Sequence, residues 1–224
     1  MLSPCSFRKL VAALRREGAD PVRRGRPWSL PLEDRVLLAS AYCRTHLTMR
    51  QLARLFGISK SAVDRIIDHL GRAFALRPRR RFTKGAVLIV HGTLVPTGTT
   101  PFAGRSKNYR DSTNHQVAID DDTRFVVVVG QPLAGNRNDC KAYEESGYPG
   151  TGLVIPHHRQ HGQTELPAWK EEHNKSHRQV RAHVERVFAR MKTGKILRDC
   201  RLKGDGVHHA MLGIAQMHSI AFAG

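Results

Sequence analysis

Apolar residues recur at helical spacing along several stretches of the chain. Over 7–16, Leu10, Val11 and Leu14 fall on one side of a short amphipathic helix. Pro31 stands at a first helical turn and is followed by Glu33 and Asp34, acids that complement a helix N-terminus, so a helix is predicted through Tyr42. Leu52, Ala53 and Phe56 give the next segment an apolar face, and Gly57 supplies a turn that tolerates positive φ. Ser59 is a candidate N-cap for a further helix, in which Val63, Ile66, Ile67 and Leu70 lie at i, i+3, i+4 and i+7. After a basic stretch at 77–84 the periodicity changes. The continuous run 86–90 predicts a strand buried on both faces, and 114–119 and 124–129 flank Asp120-Asp121-Asp122-Thr123 as a β-hairpin. Helical spacing returns at 176–192, with Val180, Val184, Val187, Phe188 and Met191 in one stripe, and a closing helix is expected over 207–222.

The segment 48–70 resembles the helix-turn-helix of DNA-binding proteins, whose second helix enters the major groove. Small Ala53, four residues before Gly57, lets two helices cross closely, and Ile58 and Val63 plug the crossing. An ordinary αα-hairpin is the alternative. In the first reading Ser59, Lys60, Ser61, Asp64 and Arg65 face the duplex, with Lys60 and Arg65 contacting phosphates or guanine edges. Asp64 and Asp68 oppose simple phosphate binding, which implies either specific readout or a face turned away from DNA. Upstream, Arg24 and Arg26 in Arg-Gly-Arg-Pro form a basic arm that contacts phosphates or lies extended in a narrow minor groove.

Charge sharpens that picture. The chain of 224 residues carries a net +18, which points to a polyanionic partner. Residues 1–85 hold 19 Lys or Arg against 6 Asp or Glu, so most of the excess is N-terminal. No apolar run approaches the roughly 18 residues of a membrane-spanning helix, and Arg8, Lys9, Arg15 and Arg16 interrupt any signal-peptide core. Cys5, Cys43, Cys140 and Cys200 are too scattered for a zinc motif and read as free thiols in a cytoplasmic, nucleoid-associated protein. The histidine pairs 157/161 and 173/177 read as loop and surface residues rather than a zinc site.

The blocks LIVHGTLVP (88–96), SKNYRDSTNHQVAIDDDTRFVVVVG (106–130), PLAGNRNDCKAYE (132–144), GYPGTGLVIPH (147–157) and NKSHRQVRAHVERVFARMK (174–192) are similar to successive blocks of bacterial insertion-sequence transposases. These are DDE superfamily endonucleases, in the branch that includes Harbinger-like enzymes. The resemblance implies an RNase H-like fold, in which two aspartates and one glutamate hold two divalent metal ions for in-line attack on a phosphodiester. Mg²⁺ or Mn²⁺ is the expected cofactor, the ends of the element in double-stranded DNA are the expected partner, and a homo-oligomer is an option.

Carried over position by position, the resemblance places the glutamate at Glu185, whose alternative role is an i, i+4 partner of Arg181. The first aspartate is replaced by His91, a poor ligand for Mg²⁺ that brings no negative charge. For the second, the connection after the 124–129 strand leaves room for a helix but not for a further acid-bearing strand, so a segment near 146–148 reads as lost. Glu145 stands close to the missing position, although it also fits the preceding block. Asp139 corresponds to a recurrent family aspartate and alternatively caps the following helix. The expected catalytic set is therefore Glu185, His91 and Glu145, and the expected metal ligands are Glu185, His91 and Asp139.

The expected fold class is α+β, organised as a basic arm (1–30), a helix-turn-helix unit (31–76), a basic linker (77–85) and an internally truncated RNase H-like α/β domain (86–224). The expected function is a transposase-family DNA-binding protein with an impaired nuclease centre. An active enzyme with an altered triad and a DNA-binding regulator without nuclease activity are the alternatives.

Overall fold

A computed structural model describes residues 3–20, 27–77, 87–98, 103–107, 109, 111–137, 167–200, 202 and 204–222 of the chain. Helix α1, Pro4–Arg16, begins three residues before the predicted start, because the Ser3 hydroxyl accepts from the Ser6 amide and Pro4 fits the first turn. It buries Leu10, Val11 and Leu14 as their spacing requires. Helix α2, Leu32–Thr45, takes Pro31 as its N-cap and ends where His46 adopts the left-handed region, at φ 54°. Bonding to its own backbone amide and to Arg15 holds the Glu33 carboxyl below the usual range. Helix α3, Met49–Leu55, opens on a capping box in which the Thr48 hydroxyl accepts from the Gln51 amide while the Gln51 side chain accepts from the Thr48 amide. Helix α4, Lys60–Ala73, follows a turn through Gly57 at φ 65° and is capped by the Ser59 hydroxyl, which accepts from the Ala62 amide at 3.2 Å.

Three antiparallel strands follow, β1 Leu88–Pro96, β2 Ser112–Asp120 and β3 Val126–Ala134, in spatial order β1-β2-β3. The predicted hairpin about 120–123 is present, closed by an Asp120 carboxylate that accepts from the amides of Asp122 and Thr123. The expectation of a first strand buried on both faces is corrected. Val87 is 57% exposed, and along β1 the fully buried positions are Ile89, Thr93 and Val95, all on one face. Two-sided burial belongs instead to β2, the central strand, where all nine positions are buried. Among its polar residues, Asn114 donates from Nδ2 to the Arg137 carbonyl at 2.8 Å.

Helix α5, Ala168–Met191, starts eight residues before the expected 176, and Val184, Val187, Phe188 and Met191 form its buried stripe. The side chain of Val180, expected in that stripe, lies outside the described residues, as do those of His173 and His177. The short helix α6, Lys195–Arg198, and the closing helix α7, Gly206–Phe222, complete the fold. One apolar core runs from Leu10 and Leu14 of α1 through Val36, Leu52 and Leu70 to Ile196, Met211 and Ala215, so the N-terminal helices and the C-terminal helices share it. The sheet joins this core through Val117, Ile119 and Val126. Among the described residues, no helix is long and apolar enough to cross a membrane.

Candidate functional site

Two surfaces carry chemistry. The first is the outward side of α4. Ile66 and Leu70 are buried beneath it, and burial of Val63, Leu52 and Ala53 fixes the crossing of α3 and α4. That leaves Ser59, Lys60, Ser61, Asp64 and Arg65 exposed at the start of α4, as the spacing predicts. Asp64 lines a cleft of about 480 Å³ with Tyr42 of α2 and His209 of α7, and Asp68 is paired with Arg72 at 2.9 Å. The Asp68 carboxylate is thus engaged by Arg72 away from the first turn of the helix, where Lys60 and Ser61 stand, while Asp64 is exposed one turn beyond Lys60.

Beside α4 runs a groove of about 970 Å³, lined by Trp28, Arg35, Ser59, Arg65, His69 and Arg72 among others. Its wall is built on Arg35, a residue that sequence reasoning missed. Arg35 is 1% exposed, donates from Nε to the Leu30 carbonyl at 3.1 Å, pairs with Asp20 and lies 5.0 Å from the Trp28 ring centroid. His69 continues the wall, donating to the Ala19 carbonyl at 2.9 Å and packing its ring 5.4 Å from that of Trp28. A charged residue on a helix that already shows an apolar stripe carries no sequence signal of such burial. Nearby Trp28 is the one hint. Arg24 and Arg26, expected to contact DNA, lie outside the described residues.

The second surface lies where β1 meets α5. His91 shares the buried face of β1 with Ile89 and Thr93, sits opposite Val117 and stacks its ring 5.8 Å from that of Phe188. Its Nε2 and Glu185 Oε1 are 3.2 Å apart, which brings together two residues separated by 94 positions in the chain. Arg181 Nε approaches the same carboxylate oxygen at 3.6 Å, so the i, i+4 contact and the contact to His91 coexist. Lys192 belongs to this neighbourhood, because burial lowers the pKa of its ammonium group while the Glu185 charge raises it. Helix α5 is fixed over the sheet by His183, whose Nδ1 lies 3.1 Å from Asp121 Oδ1 in the hairpin turn.

The donor set on this surface is one carboxylate and one imidazole with guanidinium and ammonium groups beside them. Two hard divalent cations need several anionic oxygens, and these residues do not fit them. No group of three or more His, Cys, Asp or Glu side chains suited to a metal gathers among the described residues. Glu145, Asp139 and the segment near 146–148 lie outside the described residues.

A further feature went unread in the sequence. His115 on β2 is fully buried, shares a hydrogen bond with Thr113 at 3.2 Å and stacks 6.1 Å from His208 of α7. Burial, together with the neighbouring His208, pushes the His115 pKa down to about 3.

Comparison with known proteins adds three findings. The family described as helix-turn-helix of DDE superfamily endonuclease matches residues 28–80, and the family described as transposase DDE domain matches residues 83–220. A protein of Streptomyces albus G, named as a candidate transposase for insertion sequence element IS112, is 72% identical over 238 residues, covering 100% of this chain and 93% of that protein. That aligned span exceeds the 224 residues of this chain by 14 positions. No solved structure matches.

Proposed function

Because the chain belongs to the DDE transposase family of insertion sequences, we propose that it holds the ends of its element through α3 and α4 while its nuclease centre is impaired. The observation that carries this reading is the contact between His91 and Glu185. In the family resemblance these positions belong to an aspartate and a glutamate that share metal ions. Here the imidazole donates to the glutamate, and Arg181 competes for the same oxygen. A carboxylate already met by a hydrogen-bond donor and a cation has little left to offer Mg²⁺ or Mn²⁺, and His91 adds no charge in return. The succession of three antiparallel strands and a late helix bearing Glu185 supports an RNase H-like arrangement, and the branch shared with Harbinger-like endonucleases is proposed from the sequence blocks 88–96 to 174–192 alone.

A second reading is an active enzyme in which Glu145 or Asp139 joins His91 and Glu185. A third is a regulator that only occupies the element ends. Calorimetric titration with Mn²⁺ separates the first reading from the second. The wild-type chain should bind weakly, and His91→Asp should bind more tightly. Tight wild-type binding that Glu185→Gln abolishes would establish the altered triad instead. Retention of element-end DNA in the presence of a chelator, abolished in Lys60→Ala/Arg65→Ala, tests the DNA-reading half.

A further inference from the structure

Helices α1, α2, α5 and α7 enclose a groove of about 940 Å³ that shares no residue with the groove beside α4 or with the pair formed by His91 and Glu185. Its lining is largely apolar. Phe7 comes from α1, Leu37 and Ala41 from α2, and Met217 and Phe222 from α7. Leu37 is 49% exposed and Phe222 is 38% exposed. Two of the five large hydrophobic residues exposed among the described residues thus line one groove, the mark of a contact surface rather than of scattered exposure. The charge at its rim has one sign. Arg44 Nη1 donates to the Thr193 hydroxyl at 3.2 Å, and the Arg190 guanidinium lies 4.7 Å from the Phe222 ring centroid. Both arginines are exposed, neither pairs with an acid among the described residues, and no Asp or Glu is among the described residues lining the groove. The Arg190 charge reaches the wall as well, since burial lowers the pKa of His218 and Arg190 lowers it further.

We infer that this groove docks an amphipathic helix of another protein, one that lays leucine-like side chains between Leu37 and Phe222 and presents acids to Arg44 and Arg190. Apart from Ser3, Thr193 and Gly194, every described lining residue belongs to a helix, so no sheet edge is offered to an extended segment. A helix arrives with its own backbone bonds satisfied and sets apolar side chains at i, i+3, i+4 and i+7. Its flanking carboxylates meet guanidinium groups in charge-assisted bonds. A second copy of this chain is the poorer occupant. A two-fold interface would set groove on groove and bring Arg44 and Arg190 of both copies together without an acid, in a chain that already carries a net +18. A duplex would leave Leu37 and Phe222 against a hydrated phosphate backbone and gain nothing from the apolar floor. This docking goes beyond the DNA-binding and nuclease readings and depends on neither.

The test titrates the full chain into a fluorescent synthetic peptide with Leu at i, i+3, i+4 and i+7 and Glu on both flanks, followed by anisotropy. A scrambled peptide of the same composition controls for general attraction to a basic chain, and a third peptide carries Lys in place of each Glu. The patterned Glu peptide should bind saturably, and the other two about tenfold more weakly or worse. Leu37→Ser should weaken the patterned Glu peptide by about fivefold while leaving the thermal melt and the retention of element-end DNA unchanged. Arg44→Glu/Arg190→Glu should reverse the preference, so that the Lys peptide binds more tightly than the Glu peptide. No saturable binding of the Glu peptide, equal binding of the patterned and scrambled peptides, or an affinity that neither variant changes overturns the inference. So does a dimer of the chain in sedimentation that Leu37→Ser dissociates, which would assign the groove to a second copy, and so does full displacement of the peptide by a random-sequence duplex, which would make it a nucleic-acid surface.

Discussion

At the scale of single residues, the structure turns on groups whose charge state or partner is fixed by burial. His115 is the clearest. Its pKa near 3 in the folded chain lies well below the ordinary 6.5, so the folded state binds fewer protons than the unfolded state between those values. Its contribution to stability is intact above pH 6.5 and is lost progressively as pH falls toward 3. Burial lowers the pKa of His208 and His218 as well, so they act in the same sense. Stability in a denaturant melt should drop on acidification from pH 6.5 to pH 5, by up to about 1.4 kcal/mol per pH unit for the His115 proton, and His115→Leu should flatten the profile. Arg35 makes a second case. Arg35→Ala removes a packed guanidinium from between Trp28 and Leu30 and should cost about 2 kcal/mol or more in the same measurement. The cost stays moderate because Asp20, its partner, remains 43% exposed and rehydrates. Neither residue was legible in the sequence. A histidine in a polar-looking strand and an arginine in a helix give no periodic signal, and only the packing of α7 over β2 and of Trp28 over α2 buries them.

At the scale of elements, helices with repeated apolar positions and local caps were readable, because those signals act over a few residues. Gly57 and Ser59 do what their types predict, and Thr48 with Gln51 adds a capping box that went unread in the sequence. Gly57→Ala should destabilise the chain by about 1 kcal/mol. At φ 65° that cost is backbone strain alone, since a methyl there would meet nothing within 4 Å. Ser59→Ala should cost about 1 kcal/mol because its cap is removed. Either change should weaken DNA retention in parallel, as an electrophoretic assay would show, because both disturb the start of α4. Strand boundaries were harder. β1 runs on past Gly92, a residue depleted in strands, to Pro96, because pairing with β2 imposes the extended form. The same pairing makes β2 the central strand, so its Ser, Thr, Asn and Gln are buried against any reading from polarity. The early start of α5 was hidden in Ala-Trp-Lys-Glu-Glu, which has no apolar stripe of its own.

At the scale of the molecule, most of the excess positive charge belongs to residues 1–85 while the apolar core joins the N-terminal helices to α6 and α7. A duplex held by α4 is therefore held by a body continuous with the surface that carries Glu185. Part of this candidate site was legible in the sequence: family resemblance singled out Glu185 and His91, and helical spacing set Arg181 beside Glu185, while the 3.2 Å contact of His91 with Glu185 and the nearness of Lys192 needed the fold. Impairment of the centre is tested most directly by incubating the full chain with supercoiled plasmid bearing the element ends in Mn²⁺ and scoring nicked circles. No nicking above that of Glu185→Ala is expected. Mn²⁺-dependent nicking by the wild-type chain that Glu185→Ala abolishes would contradict an impaired centre.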